Sequence, residues 1–187
     1  MRITLCTGDI TEFEGGALIC PSDTELTNSS TSITKLVLKK GRPDLAKEVS
    51  ALGYIELGCA AIFKGYKLKV SHVIFVPVKD GGHGDVAIDY LLLHKALRSA
   101  LTLADLYGVE RLAIPMMVPR ATTKPSIIRS LLSIDDKPAS TTLTDDACLD
   151  IIAAVSRDFE DSTIKEISIY RNTKPQNVQE LLPIKRR

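Results

Sequence analysis

Two carboxylates stand where short apolar runs stop. Asp9 lies in Gly8-Asp9-Ile10-Thr11 after Ile3–Cys6, and Asp23 lies in Pro21-Ser22-Asp23 after Ala17–Cys20. An Asp in such a place either accepts hydrogen bonds from a bound molecule or closes a turn over its own backbone; for Asp9 both readings stand. Asp23 beside Thr24 and Thr27 also reads as a loop-capping carboxylate. Cys20 has no base near it in sequence, so a buried thiol is the expected state rather than a nucleophile. His72, His83 and His94 lack metal-ligand spacing, and of the three only His83, in Gly-Gly-His-Gly, reads as part of a loop. Arg120, Lys124, Arg129 and Lys137 cluster in one polar segment. Such cations either face water or hold phosphate through charge-assisted hydrogen bonds, which need no special backbone angles.

The elements that position these groups follow from periodicity. Ile3–Cys6, Ala17–Cys20, Gly58–Phe63, Val70–Val78, Arg111–Met117 and Ile164–Tyr170 read as strands. The chain is expected to leave the sheet at Pro21-Ser22-Asp23. Helices are expected over 31–40, stopped by Gly41, and over 43–52, stopped by Gly53. The longest runs from Val86 to Tyr107 behind an Asp85 cap, with Ile88, Leu92, Ala96, Ala100, Leu103 and Ala104 as its apolar stripe. Further helices are expected over 145–159 and 175–182, with a short one over 126–132. Strands alternating with helices imply an α/β fold: a three-layer α/β/α sandwich around a mixed, mostly parallel sheet of about six strands. In open sheets of this kind ligands collect at the carboxyl ends of the strands.

At 187 residues, 44% of them hydrophobic, one domain over 1–187 is expected. The 118–144 segment, rich in Pro, Ser, Thr and charge, reads as an extended loop or lid. A net charge of +1 gives the whole chain no strong pull toward nucleic acid or a membrane surface. The four cysteines lack CxxC spacing and read as reduced thiols. No charged-then-apolar leader opens the chain and no apolar run approaches a membrane span, so the cytoplasm is the expected location.

Taken in order, these landmarks resemble the macro domain, an ADP-ribose-binding α/β/α module. Gly8-Asp9-Ile10-Thr11 resembles the family's GDIT. Ala17-Leu18-Ile19-Cys20-Pro21-Ser22-Asp23 falls where the family has A-I-V-N-A-A-N. Gly41, Gly58-Cys59-Ala60, Gly65-Tyr66, Leu68, Val73-Ile74 and Leu112-Ala113-Ile114-Pro115 keep the same register. Two loops depart from the family. Thr27-Asn28-Ser29-Ser30-Thr31-Ser32 replaces a glycine run, and Val118-Pro119-Arg120-Ala121-Thr122-Thr123-Lys124-Pro125 replaces a loop with two glycines. Glycines there let main-chain N–H groups approach phosphate, and Pro119 removes a donor.

The resemblance implies that Asp9 reads an adenine amino group, with the Ile10 N–H and side chain beneath the purine. It places Cys20, Asp23, Ser32, Val118, Arg120, Ala121, Thr122 and Lys124 around the remainder of the ligand. The family's catalytic asparagine, where there is one, falls on Asp23, which makes this the single weak catalytic candidate, as a general base. The expected function is binding of ADP-ribose or a related nucleotide with little or no hydrolase activity. A degenerate interaction or RNA-binding module, with RNA or a protein as partner, is the alternative, and an ADP-ribosyl hydrolase the third. No cofactor, metal or membrane is implied.

Overall fold

A computed structural model describes residues 1–26, 32–79, 90–117, 144–171 and 179–180. Seven strands form one sheet: β1 (Arg2–Thr7), β2 (Gly15–Asp23), β3 (Ala61–Lys64), β4 (Val70–Lys79), β5 (Arg111–Pro115), β6 (Glu166–Arg171) and β7 (Gln179–Glu180). Their order is β3-β4-β2-β5-β6-β1-β7. The five inner strands are parallel, and the edge strands β3 and β7 run antiparallel to β4 and β1. Helices α1 (Ser32–Lys40), α2 (Asp44–Leu52), α3 (Tyr90–Leu106) and α4 (Asp145–Arg157) complete the described elements. The result is the expected mixed, mostly parallel α/β/α sandwich, with a two-residue seventh strand added.

The central strands β2, β4 and β5 are buried on both faces, so their side chains split by parity between two cores. Leu18 and Cys20 of β2 and Val73 and Phe75 of β4 join Val37, Leu45 and Val49 on the α1–α2 face. Ala17 and Ile19, with Ile74, Val76 and Val78, join the α3–α4 face. Phe75 is fully buried and meets Phe63 edge to face at 5.5 Å.

The helices start and stop where local chemistry directs. Gly53 and Gly108 take left-handed backbone at φ 73° and 66° and end α2 and α3. The Thr144 hydroxyl accepts from the Ala147 N–H at 3.2 Å, and Asp145 and Asp146 fill the first turn of α4.

Three expectations need correction. First, β2 does not leave the sheet at Pro21. It continues to Asp23, with Ser22 opposite Pro77 and Asp23 opposite Lys79, so Val78 bulges from the ladder. Second, residues 179–180 form β7 inside the stretch expected to be helical over 175–182; pairing with the open edge of β1 overrides local preference. Third, the deepest stripe of α3 is Leu93, Ala96, Leu97, Ala100, Leu101 and Ala104, while Leu92 and Leu103 are half-buried. Three consecutive leucines, Leu91 to Leu93, leave the helical phase open in sequence, and the sheet selects it. Residues 86–89 and the helix expected over 126–132 lie outside the described residues.

Candidate functional site

The carboxyl ends of β1, β2, β4, β5 and β6 share one edge of the sheet, and Asp9 sits just beyond the first of them. Gly8 takes φ 126°, a backbone that side chains oppose, and swings the chain off β1. Asp9 then caps a short 3-10 turn over Ile10–Glu12. Its Oδ1 accepts from the Thr11 N–H at 2.9 Å and from the Thr11 hydroxyl at 2.6 Å. Its Oδ2 accepts from Lys40 Nζ at 3.0 Å. Burial pushes the Asp9 carboxyl up, but the Thr11 donors and Lys40 outweigh it and hold the group below the usual carboxylate range. The turn over its own backbone is therefore formed, and among the described residues Lys40 is the partner of the outer oxygen.

Lys40 closes the last turn of α1, where its charge also suits the helix dipole. It also donates to Glu12 Oε1 at 2.5 Å, Lys69 bridges Glu12 and Glu14, and the chain of charges ties the turn to α1 and to the start of β4. Ile10 is 5% exposed, and its side chain belongs to the α1–α2 core.

At the end of β2 the polar groups are enclosed. Ser22, Asp23 and Thr24 are at most 2% exposed. The Ser22 hydroxyl is buried without a hydrogen-bond partner among the described residues. The Thr24 N–H donates to the Lys79 carbonyl, the Leu26 N–H to the Asp23 carbonyl and the Ile55 N–H to the Thr24 carbonyl, which fold the exit of β2 into a tight turn. Cys20 is fully buried, with its thiol pushed up to about 12 by burial and only partly offset by Thr34. That environment opposes a thiolate nucleophile. Cys20 Sγ donates to the Thr34 hydroxyl at 3.9 Å, and that hydroxyl donates to the Pro21 carbonyl at 2.6 Å.

The remaining sequence candidates divide simply. Ser32 is the first residue of α1, two positions before Thr34, whose hydroxyl bonds the Pro21 carbonyl of β2. Val118, Arg120, Ala121, Thr122 and Lys124 lie outside the described residues, as do Arg129, Lys137 and His83. His72 is half-buried against Tyr107, ring centroids 5.4 Å apart, and His94 stacks on Tyr90. Among the described residues no three His, Cys, Asp or Glu side chains gather to hold a metal ion. No described helix is long and apolar enough to cross a membrane. Sequence reading missed Thr11, Thr34 and Lys40 as partners. For Thr11 the signal was present, since a hydroxyl two residues after an Asp is placed to complete an Asx turn.

A macro domain family model matches residues 23–119, more than half of the chain. The chain belongs to the macro domain family. The match begins at Asp23, so Gly8–Thr11 and Cys20 precede it. The macro domain-containing protein mll7730 of Mesorhizobium japonicum is 33% identical over 117 residues, which cover 61% of this chain and 64% of that protein. This chain therefore spans less than two thirds of that curated relative. Among solved structures, the Trypanosoma brucei macrodomain in complex with ADP-ribose aligns over 92% of this chain and 64% of its own, at 17% identity and TM-score 0.69. The Oceanobacillus iheyensis macrodomain with ADP aligns over 92% and 84%, at 13% identity and TM-score 0.65. At these identities the solved structures speak for the macro fold alone.

Proposed function

We propose that this macro domain binds ADP-ribose or a related adenine nucleotide at the carboxyl edge of its sheet, with little or no hydrolysis. The observation that carries the reading is the fixed Asp9 carboxylate. Thr11 saturates the inner oxygen, and the outer oxygen is left pointing an acceptor away from its own backbone. Support also comes from the macro fold, since the Trypanosoma brucei and Oceanobacillus iheyensis relatives were solved with ADP-ribose and ADP. In this reading Asp9 accepts from the adenine amino group and the Ile10 N–H approaches the ring. Ser32, Val118, Ala121 and Thr122 line the remainder of the site. Arg120 and Lys124 supply side-chain cations to the diphosphate in place of a glycine-rich nest.

Weak or absent hydrolysis follows from the end of β2. A general base must reach the proton that it removes, or a water that does. Asp23 is 2% exposed and sits on the strand rather than on an open loop.

The test is thermal shift and calorimetry with ADP-ribose, AMP, NAD and a short RNA. A ligand at a hundred times its Kd stabilises by about 2.7 kcal/mol. Stabilisation by ADP-ribose, weakened in Arg120→Ala and Lys124→Ala, supports the reading. A salt-sensitive shift with RNA and none with any nucleotide replaces it with the RNA-binding alternative. Release of ADP-ribose from a modified protein, abolished in Asp23→Ala, replaces it with the hydrolase.

A further inference from the structure

The Asp9 carboxylate does not stand alone at the proposed base site. Lys40 Nζ lies 3.0 Å from Asp9 Oδ2 and 2.5 Å from Glu12 Oε1. The ammonium carries three donors, so one remains after these two bonds. A carboxylate carries about four acceptor positions, and three of those on Asp9 are taken, two by Thr11 and one by Lys40. Among the described residues one acceptor and one donor thus remain side by side. Both side chains stay open to water, at 41% exposure for Asp9 and 33% for Lys40.

A carboxylate by itself reads position 6 of a purine in one sense only. It accepts from an exocyclic amino group and repels an exocyclic oxygen. A neighbouring ammonium removes that one-sidedness, because an oxygen at position 6 can take its spare proton. Discrimination between two ligands is a difference of affinities and is strengthened by a repulsive contact against the wrong one. Lys40 neutralises that repulsive contact.

We propose that Lys40 is a specificity-determining residue, which makes the site tolerant of 6-oxo as well as 6-amino purine nucleotides. The inference rests on the placing of a purine against Asp9. Glu12 and Lys69 hold the ammonium in position. Lys69 bonds Glu12 at 3.3 Å and Glu14 at 2.9 Å, which leaves Glu12 anchored from its far side.

ADP and IDP share ribose and diphosphate and differ only in the base, which makes them suitable probes. Calorimetry would give the Kd ratio of IDP to ADP for the wild type, Lys40→Met and Lys40→Arg. The two bases also differ at N1, but that difference is common to all three proteins. The change of ratio on substitution therefore isolates position 6. Lys40→Met is expected to raise the ratio about tenfold, the order expected for losing one solvent-exposed hydrogen bond to a charged group. Lys40→Arg, which keeps a donor, is expected to hold it within about threefold of the wild type. A thermal melt checks that each variant folds, and Lys40→Gln, a neutral donor expected to fall between the two, serves if Lys40→Met does not. Nucleotide binding with a ratio unchanged in Lys40→Met overturns the role of Lys40 alone. Failure of the wild type to bind either nucleotide overturns the proposed function, and this inference with it.

Discussion

The Thr34 hydroxyl, from the first turns of α1, donates to the Pro21 carbonyl of β2 over 2.6 Å in a fully buried setting. The Cys20 thiol donates to the same hydroxyl. One side chain thus pins the helix to the strand that carries Asp23, and it fixes where α1 opens.

Replacing Thr34 by Val keeps the volume and removes the donor. The Pro21 carbonyl then loses this buried hydrogen bond, a change that costs about 0.5–1.5 kcal/mol. Urea unfolding of Thr34→Val is expected to show a lower midpoint with an unchanged slope. Stability equal to the wild type would mean that the bond contributes nothing net.

The cysteines are expected to separate by reactivity. Burial pushes the Cys20 thiol up to about 12 and that of Cys148 up to about 11. Cys6 and Cys59 are half-buried. Alkylation near neutral pH, read by peptide mass mapping, should modify Cys6 and Cys59 first and reach Cys20 and Cys148 only on unfolding, because the thiolate is the nucleophile. Early labelling of Cys20 would contradict the closed end of β2.

Acid should weaken the turn at Asp9. Its carboxyl is held below the ordinary 3.8, since Thr11 and Lys40 outweigh burial. A group depressed on folding stabilises the native state fully above its unfolded value and loses that contribution as pH falls through the folded one. Much of the carboxylate faces solvent, so the effect is small. Comparing urea midpoints at about pH 6 and about pH 2.5, Asp9→Asn should lose less stability than the wild type. Identical losses in the two proteins would remove Asp9 from the acid response.

Gly8 offers a test of backbone conformation free of packing. A Cβ added there would meet nothing within 4 Å, yet φ is 126°. Gly8→Ala is expected to cost about 1 kcal/mol in urea unfolding, all of it conformational. On the proposed reading it should also weaken ADP-ribose binding by shifting Asp9. A stable Gly8→Ala protein with unaltered affinity would show that the turn relaxes without strain.

Most of the architecture was legible from alternation and glycine placement. The four-residue apolar run Val73–Val76 marked a strand buried on both faces, and Gly53 and Gly108 marked helix stops. What could not be read depended on contacts distant in sequence. The bulge at Val78 arises from pairing between β2 and β4, and it holds Asp23 in the ladder instead of on a loop. Lys40 counts as one more polar residue at a helix end until the fold sets it beside Asp9, 31 residues earlier. The Asp9 turn lay between these cases: its alternatives were visible in four residues, and the Thr11 geometry selects one of them.

The neighbours of β1 in the sheet are β6 and β7, so Thr4 lies opposite Ser168 and Glu180. During synthesis β1 waits for its parallel partner β6, since Thr4 and Ser168 stand 164 residues apart. Such long-range closure slows folding and leaves an unclaimed ribbon on the nascent chain in the meantime. The Asp9 turn hangs directly from that ribbon, so on the proposed reading the nucleotide site takes shape only once β6 has docked.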